Sequence, residues 1–246
     1  MSSSRRLIAR IDVKNNHVIK GIHLEGLRKV GNPNEMAKKY YSNGIDEIVF
    51  MDAVAAYYDR NSLSEIIAAA TDDIFIPIMV GGGIRSIENI TSALKSGADK
   101  VAINSAAIKK PGLLKEGAEI FGSQCIVSSI DVKRENVNSW RVYFDNGREP
   151  SLYMLDEWLD IVQEMGSGEI VLTSIDQEGT KKGFDKNLAD FSASRSSIPL
   201  ILCGGIGGTE DIDEINDINF DALAVASVLH YDILKISDIK DHLERK

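Results

Sequence analysis

Two aspartates stand in the same tetrapeptide, Ile-Asp-Val-Lys, at residues 11–14 and 130–133. Two carboxylates that face one pocket can be held in different protonation states, one serving as acid and the other as base. Asp12 and Asp131 are therefore the first candidates for chemistry. Taken singly, each could merely cap a loop or pair with the lysine two positions on, Lys14 or Lys133. The rest of the chain argues for the pair. Glu47-Ile48-Val49 returns as Glu169-Ile170-Val171, Gly82-Gly83-Ile84 as Gly204-Gly205-Ile206, and Ile103-Asn104-Ser105 is answered by Val225-Ala226-Ser227. The first match is offset by 119 residues and the other three by 122. Four ordered matches at a near-constant shift indicate two homologous halves, with boundaries near 1–122 and 123–246.

The glycine clusters carry the second kind of chemistry. Val80-Gly81-Gly82-Gly83-Ile84 and Cys203-Gly204-Gly205-Ile206-Gly207 each follow an apolar run and lead toward a helix. Free backbone N–H groups in such a turn can converge on an anion. Ser105 and Ser227 each fall 21 residues after the isoleucine, at the end of the next apolar run. Glycine pair and serine at neighbouring strand ends make a phosphate cup, and two such cups imply a ligand with a phosphate at each end. Tight turns with no ligand are the alternative. A third set, Arg6, Glu47, Lys100 and Glu169, opens four apolar runs. Such charges are ordinarily solvated rim positions, but two acids and two bases could also form a neutral ring closing one end of a barrel, provided they pair with each other.

Apolar runs at 7–13, 47–52, 76–80, 100–103, 125–131, 169–174, 200–203 and 222–226 have the continuous character of strands buried on both faces. Amphipathic segments at 34–43, 62–71, 86–96, 111–121, 155–165, 187–194, 210–218 and 237–245 alternate with them. Ser86 is a plausible helix cap, and Gly44 and Gly97 fall where helices end. Eight strands alternating with eight helices in two equal halves predict a single (β/α)8 barrel over 1–246. An open doubly wound sheet explains the alternation but not the duplication. Two separate domains of half the length would need a linker near residue 120, and none is visible. The long segments 17–33 and 135–150 follow the strands that carry the aspartates, so both are candidate lids; the second reads as a small hairpin, 140–144 followed by Asp145-Asn146-Gly147.

The net charge of −9 argues against a nucleic-acid or acidic-membrane partner bound through bulk electrostatics. Cys125 and Cys203 both lie in apolar runs and read as buried reduced thiols; no His/Cys cluster has metal-ligand spacing, so neither metal nor cofactor is expected. The first residues lack the apolar run of a signal peptide and no later stretch could span a bilayer, which predicts a cytoplasmic protein. Of the four histidines, His17, His23, His230 and His242, only His23 stands out, because it lies in the first long segment.

The chain resembles, from end to end, the cyclase subunit of imidazole glycerol phosphate synthase. The resemblance rests on residues 12–14, 18–21, 44–52, 80–84, 97–104, 121–124, 130–134, 168–176 and 179–180. It implies a (β/α)8 barrel working with a separate glutaminase subunit docked on the amino-terminal face. Ammonia released there would cross the barrel floor and convert a bisphosphorylated ribulosyl-formimino nucleotide into imidazole glycerol phosphate and an aminoimidazole carboxamide ribotide. It further implies that Asp12 and Asp131 are the acid/base pair and that Lys20 lies in a mobile first loop. Arg6, Glu47, Lys100 and Glu169 would form the ammonia gate. Gly83, Asn104, Ser105, Gly179, Gly205, Ala226 and Ser227 would hold the phosphates, and Thr173 would line the site. The chain departs from the pattern at Arg10, usually small, at Ile22-His23, at Gln177-Glu178 in place of Arg-Asp, and at Val54 and Ala102. Those departures motivate a second reading, a paralogue that passes ammonia to a sugar amidotransferase in surface-polysaccharide synthesis. The sister isomerase, which shares the half-barrel repeat and works alone, is a third.

Overall fold

A computed structural model describes residues 5–53 and 63–243; Val54, the start of the 62–71 helix and the end of the 237–245 helix lie outside the described residues. The strands are β1 (Arg6–Lys14), β2 (His17–Ile22), β3 (Glu25–Gly31), β4 (Glu47–Asp52), β5 (Ile78–Gly81), β6 (Lys100–Ile103), β7 (Ile126–Asn136), β8 (Ser139–Phe144), β9 (Glu149–Met154), β10 (Glu169–Ser174), β11 (Leu200–Cys203) and β12 (Ala222–Val225). Eight of them, β1, β4, β5, β6, β7, β10, β11 and β12, pair in parallel with their neighbours in that order, and β12 pairs back onto β1. The sheet is closed and helices separate the strands, so the fold is the expected (β/α)8 barrel.

Alternation along β1 shows how the sequence builds two cores from one strand. Leu7, Ala9, Ile11 and Val13 are fully buried in the outer core, packed with helix residues such as Ala37 and Tyr40. Ile8 belongs to a separate cluster in the barrel bore with Val49, Met79, Val127, Val171 and Ile201. Arg6, Arg10 and Asp12 share the period of Ile8, so the inward face of this strand reads charged, apolar, charged, charged from floor to mouth. Burial on both faces is why these strands look continuously apolar in sequence.

The helix at Pro33–Ser42 is capped by Asn32, whose side chain accepts from the Asn34 and Glu35 amides, with proline in the first turn. Ser86 caps Ile87–Lys95 through the Asn89 amide, as expected. The segment expected as a helix over 210–218 is helical only at Thr209–Asp213. Its continuation breaks into turns, and Asn216 is drawn into bonds with Arg5. β5 begins two residues later than expected, because Pro77 has no N–H for a strand ladder.

Two features escaped the sequence reading. Residues 17–31 are a β-hairpin, β2 paired antiparallel with β3 and with β1, rather than an irregular loop. Its turn places both His23 and Leu24 at positive φ, 53° and 64°, between the paired Ile22 and Glu25. A two-residue hairpin turn requires that hand, and glycine or asparagine usually supplies it, so nothing in His-Leu announces the turn. Short helices at Ser105–Lys109 and Ser227–His230 also follow β6 and β12 directly, one in each half. The one hairpin expected from the sequence forms, with β9 as a third strand and a turn through Asp145, Asn146 and Gly147, all at positive φ.

Candidate functional site

At the amino-terminal end of the barrel, the four charges that open β1, β4, β6 and β10 meet. Arg6 Nη1 lies 2.5 Å from Glu47 Oε2, and its other nitrogen pairs with Glu169. Lys100 Nζ is 3.0 Å from Glu47 and 2.9 Å from Glu169. Signs alternate around this ring and each acid is held by both bases. The Glu47 carboxyl is pushed above its usual range chiefly by burial, with Glu169 adding to the effect and Lys100 and Arg6 opposing it. The rim reading of these residues is therefore replaced by a paired floor.

Above the floor lies the apolar bore, and above that the mouth, where β1 and β7 present Asp12 and Asp131. Both are buried. Arg10 spans the bore from Asp12 to β10 and β11. Its Nε donates to Asp12 Oδ1 at 2.9 Å, and its Nη1 reaches Thr173 Oγ1 at 3.1 Å and Cys203 Sγ at 3.4 Å. Thr173 is the register partner of Asp131 on the neighbouring strand. Asn104 donates to Asp131 Oδ2 at 2.8 Å. These contacts give the repeated aspartates opposite characters. Burial pulls Asp12 up, but the Arg10 and Lys20 charges outweigh it and hold the carboxyl below its usual value. Burial dominates at Asp131 and, reinforced by Asp12, holds it above its usual value despite Arg10, Thr173 and Asn104.

Linkage makes that difference measurable. A carboxyl with a raised folded-state value loses stability as pH climbs from its unfolded value through the folded one; a lowered carboxyl keeps stability above the unfolded value and loses it as pH falls. Asp131→Asn is thus expected to raise the urea midpoint at pH 7, the gain fading as pH approaches 3.8, and Asp12→Asn to lower it, the deficit fading on the acid side of 3.8. Urea titrations across that range check both signs.

The two glycine cups are unequal. The first opens into a cavity of about 550 Å³ lined by Gly82, Gly83, Asn104, Ser105 and Asp131. Arg85, Lys109 and Lys110 also line it. Sequence reasoning missed these three cations, although Arg85 directly follows the first glycine cluster. The second cup, formed by Gly179, Gly204, Gly205, Ala226 and Ser227, encloses only about 20 Å³ and includes Glu178. Asp12 borders neither cavity; its neighbours are Arg10 and Lys20. The expected shared pocket of two aspartates is thus divided, with Asp131 on the open side and Asp12 inside an ionic cluster.

The hairpin closes that second side. His23 donates its backbone N–H to Glu178 O at 2.8 Å, and its Nδ1 lies 2.9 Å from Ile175 O. Leu24 packs where a Cβ on Gly147 would come within 2.9 Å of it. A Cβ on Gly179 would strike the backbone of Gly21, so hairpin and cup touch main chain to main chain. Lys20 is buried beneath, paired with Glu178 and 4.0 Å from Asp12. His230, in the short helix after β12, has its Nδ1 2.7 Å from the Tyr40 hydroxyl, and burial lowers it to about 4, so it is neutral at pH 7. His242 pairs with Asp213 at the surface. Cys203 is buried in the bore, whereas Cys125 is only half-buried, against expectation; both are free thiols. No described helix is long and apolar enough to cross a membrane. Among the described residues no cluster of His, Cys, Asp and Glu is arranged to hold a metal ion.

The family model described as histidine biosynthesis protein matches residues 6–235. A Legionella pneumophila protein named imidazole glycerol phosphate synthase subunit HisF is 53% identical over 211 residues, covering 86% of this chain and 100% of the relative. Proteins of the same name from Dehalococcoides mccartyi and Helicobacter hepaticus are 43% and 42% identical, covering 99% and 100% of this chain and 96% and 98% of their own lengths.

Proposed function

The chain belongs to the histidine biosynthesis protein family, and from that premise we propose that it acts as the cyclase subunit of imidazole glycerol phosphate synthase. It is an enzyme of the lyase type that uses ammonia. The observation that carries the reading is the pair of repeat-related aspartates at the barrel mouth, one held below and one above its usual carboxyl range. That is the division of labour an ammonia-dependent cyclisation needs. Asp12, whose carboxyl is held towards its ionised form, would take protons from the incoming amine, and Asp131, whose carboxyl is held above its usual range, would return them to the departing groups.

The remaining parts fall into place around them. A bisphosphorylated ribulosyl-formimino nucleotide would set one phosphate against Gly83, Asn104 and Ser105, beside Arg85 and Lys109. It would set the other against Gly179, Gly205, Ala226 and Ser227. Lys20 comes from the hairpin, Thr173 from β10. The floor ring of Arg6, Glu47, Lys100 and Glu169 is the entry for ammonia released by a glutaminase subunit on the amino-terminal face. The apolar bore above it suits a neutral molecule and not ammonium. Products are imidazole glycerol phosphate and aminoimidazole carboxamide ribotide. The 119- and 122-residue offsets support one domain of two half-barrels.

The names of the relatives do not favour the reading in which the barrel mainly passes ammonia to a sugar amidotransferase. The closed floor ring likewise has no use in an isomerase that works alone. Complementation tests the choice. Expressed with a glutaminase subunit in a histidine auxotroph lacking its own cyclase, the chain is expected to restore growth without histidine. Absence of growth, with the protein present and folded, would return the amidotransferase reading to first place.

A further inference from the structure

The two anion cups differ in a way that the twofold repeat does not require. The first is open and lined by Arg85, Lys109 and Lys110. The second has almost no free volume, and a carboxylate side chain lies against it. Glu178 lines the cup, its side chain only 4% exposed, and Glu178 Oε2 lies so near Gly204 that a Cβ there would be 3.1 Å from it. Its backbone is pinned by a 2.9 Å bond from its own N–H to Ser174 O. Its other oxygen pairs with Lys20, the hairpin lysine that also faces Asp12.

We propose that Glu178 is a specificity-determining residue that serves as an internal anion in the second cup, so that a phosphate enters there only by displacing the Glu178 carboxylate from Lys20. A phosphate placed against an ionised carboxylate in a closed, buried cup meets like charge, and that juxtaposition is costly. Once Glu178 swings out, Lys20 stays where the incoming anion can take it over, and the hairpin loses one of its ties to the second half. Binding of the second phosphate is thereby coupled to loosening of residues 17–31, whereas the first cup fills without disturbing them. A ligand with one phosphate would occupy the first cup alone. This inference rests on the reading of both glycine cups as anion seats.

The test is titration of the full chain with inorganic phosphate, followed by calorimetry and ³¹P resonance, with hydrogen exchange read over residues 17–31. The wild-type chain is expected to bind one phosphate, with any second at least about tenfold weaker and accompanied by faster hairpin exchange. Glu178→Gln is expected to bind two with affinities within about threefold, and its hairpin to exchange faster before phosphate is added. Two equal sites in the wild-type chain overturn the proposal, as does a Glu178→Gln chain that melts cooperatively yet still binds one phosphate with unchanged hairpin exchange. Phosphate binding in neither cup removes the seat reading and the proposal with it. Loss of cyclase turnover alone bears only on the proposed function, because phosphate stoichiometry does not depend on it.

Discussion

Asp131→Asn is expected to cut ammonium-driven turnover of the bisphosphorylated nucleotide by a factor of about 10²–10⁴, and Asp12→Asn to do the same. The two losses arise at opposite steps. Asparagine at 131 keeps a group that can donate to substrate but cannot give up a proton to a leaving group. Asparagine at 12 cannot accept one and leaves the Arg10 guanidinium, bonded to Asp12 at 2.9 Å, without its carboxylate. The Asp131 variant should fold at least as stably as the parent at pH 7, so its inactivity would be chemical and not a loss of structure. Steady-state assays with saturating ammonium salt and substrate should place both losses in kcat, with substrate KM changed far less, since the phosphates are held elsewhere.

The second large effect concerns the floor. Glu47→Ala removes the acid that both Arg6 and Lys100 contact and leaves two half-buried cations sharing Glu169. Removing one partner of a buried pair costs about 3–5 kcal/mol. Arg6 keeps 32% side-chain exposure and can turn to solvent, so the lower end of that range applies, about 3 kcal/mol. For a chain of this length that is a fall in Tm of roughly 6–12 °C. Removing a charge of each sign, as in Glu47→Leu with Lys100→Met, leaves Arg6 paired with Glu169 and is expected to recover most of the loss. Thermal unfolding of the single and double variants decides the matter: equal midpoints for Glu47→Ala and the parent would mean that the ring contributes little to the fold.

Much of this architecture could be read from the residues, and the reason is physical. A parallel strand buried on both faces writes itself as an apolar run, so Glu47–Asp52, Lys100–Ile103, Glu169–Ser174 and Leu200–Cys203 have the bounds expected of them. Repetition marked both aspartates and both glycine cups. What stayed hidden depends on contacts between segments distant in sequence. Arg10 is evident as a charge on the inward period of β1, but its span to Thr173 and Cys203 appears only once the barrel closes. Glu178 stands out in the sequence only as a departure from the family pattern, and its ion pair shows only when the hairpin brings Lys20 onto it from 158 positions away. The hairpin turn through His23 and Leu24 carries no glycine, so local chemistry gave no sign of it. The repeat also suggested a symmetric pocket, and symmetry misled. Among the described residues the first cup shows no cluster like that of Arg10, Lys20 and Glu178.

If two differently tuned carboxylates at the mouth of this barrel run an ammonia-dependent cyclisation, the chain needs only ammonia and substrate to form both products. The most direct measurement is product analysis after incubating the purified chain alone with the bisphosphorylated nucleotide and an ammonium salt. Imidazole glycerol phosphate and aminoimidazole carboxamide ribotide are predicted to accumulate in equal amounts, with no glutaminase present. A folded chain that binds the nucleotide and forms neither product would contradict the account.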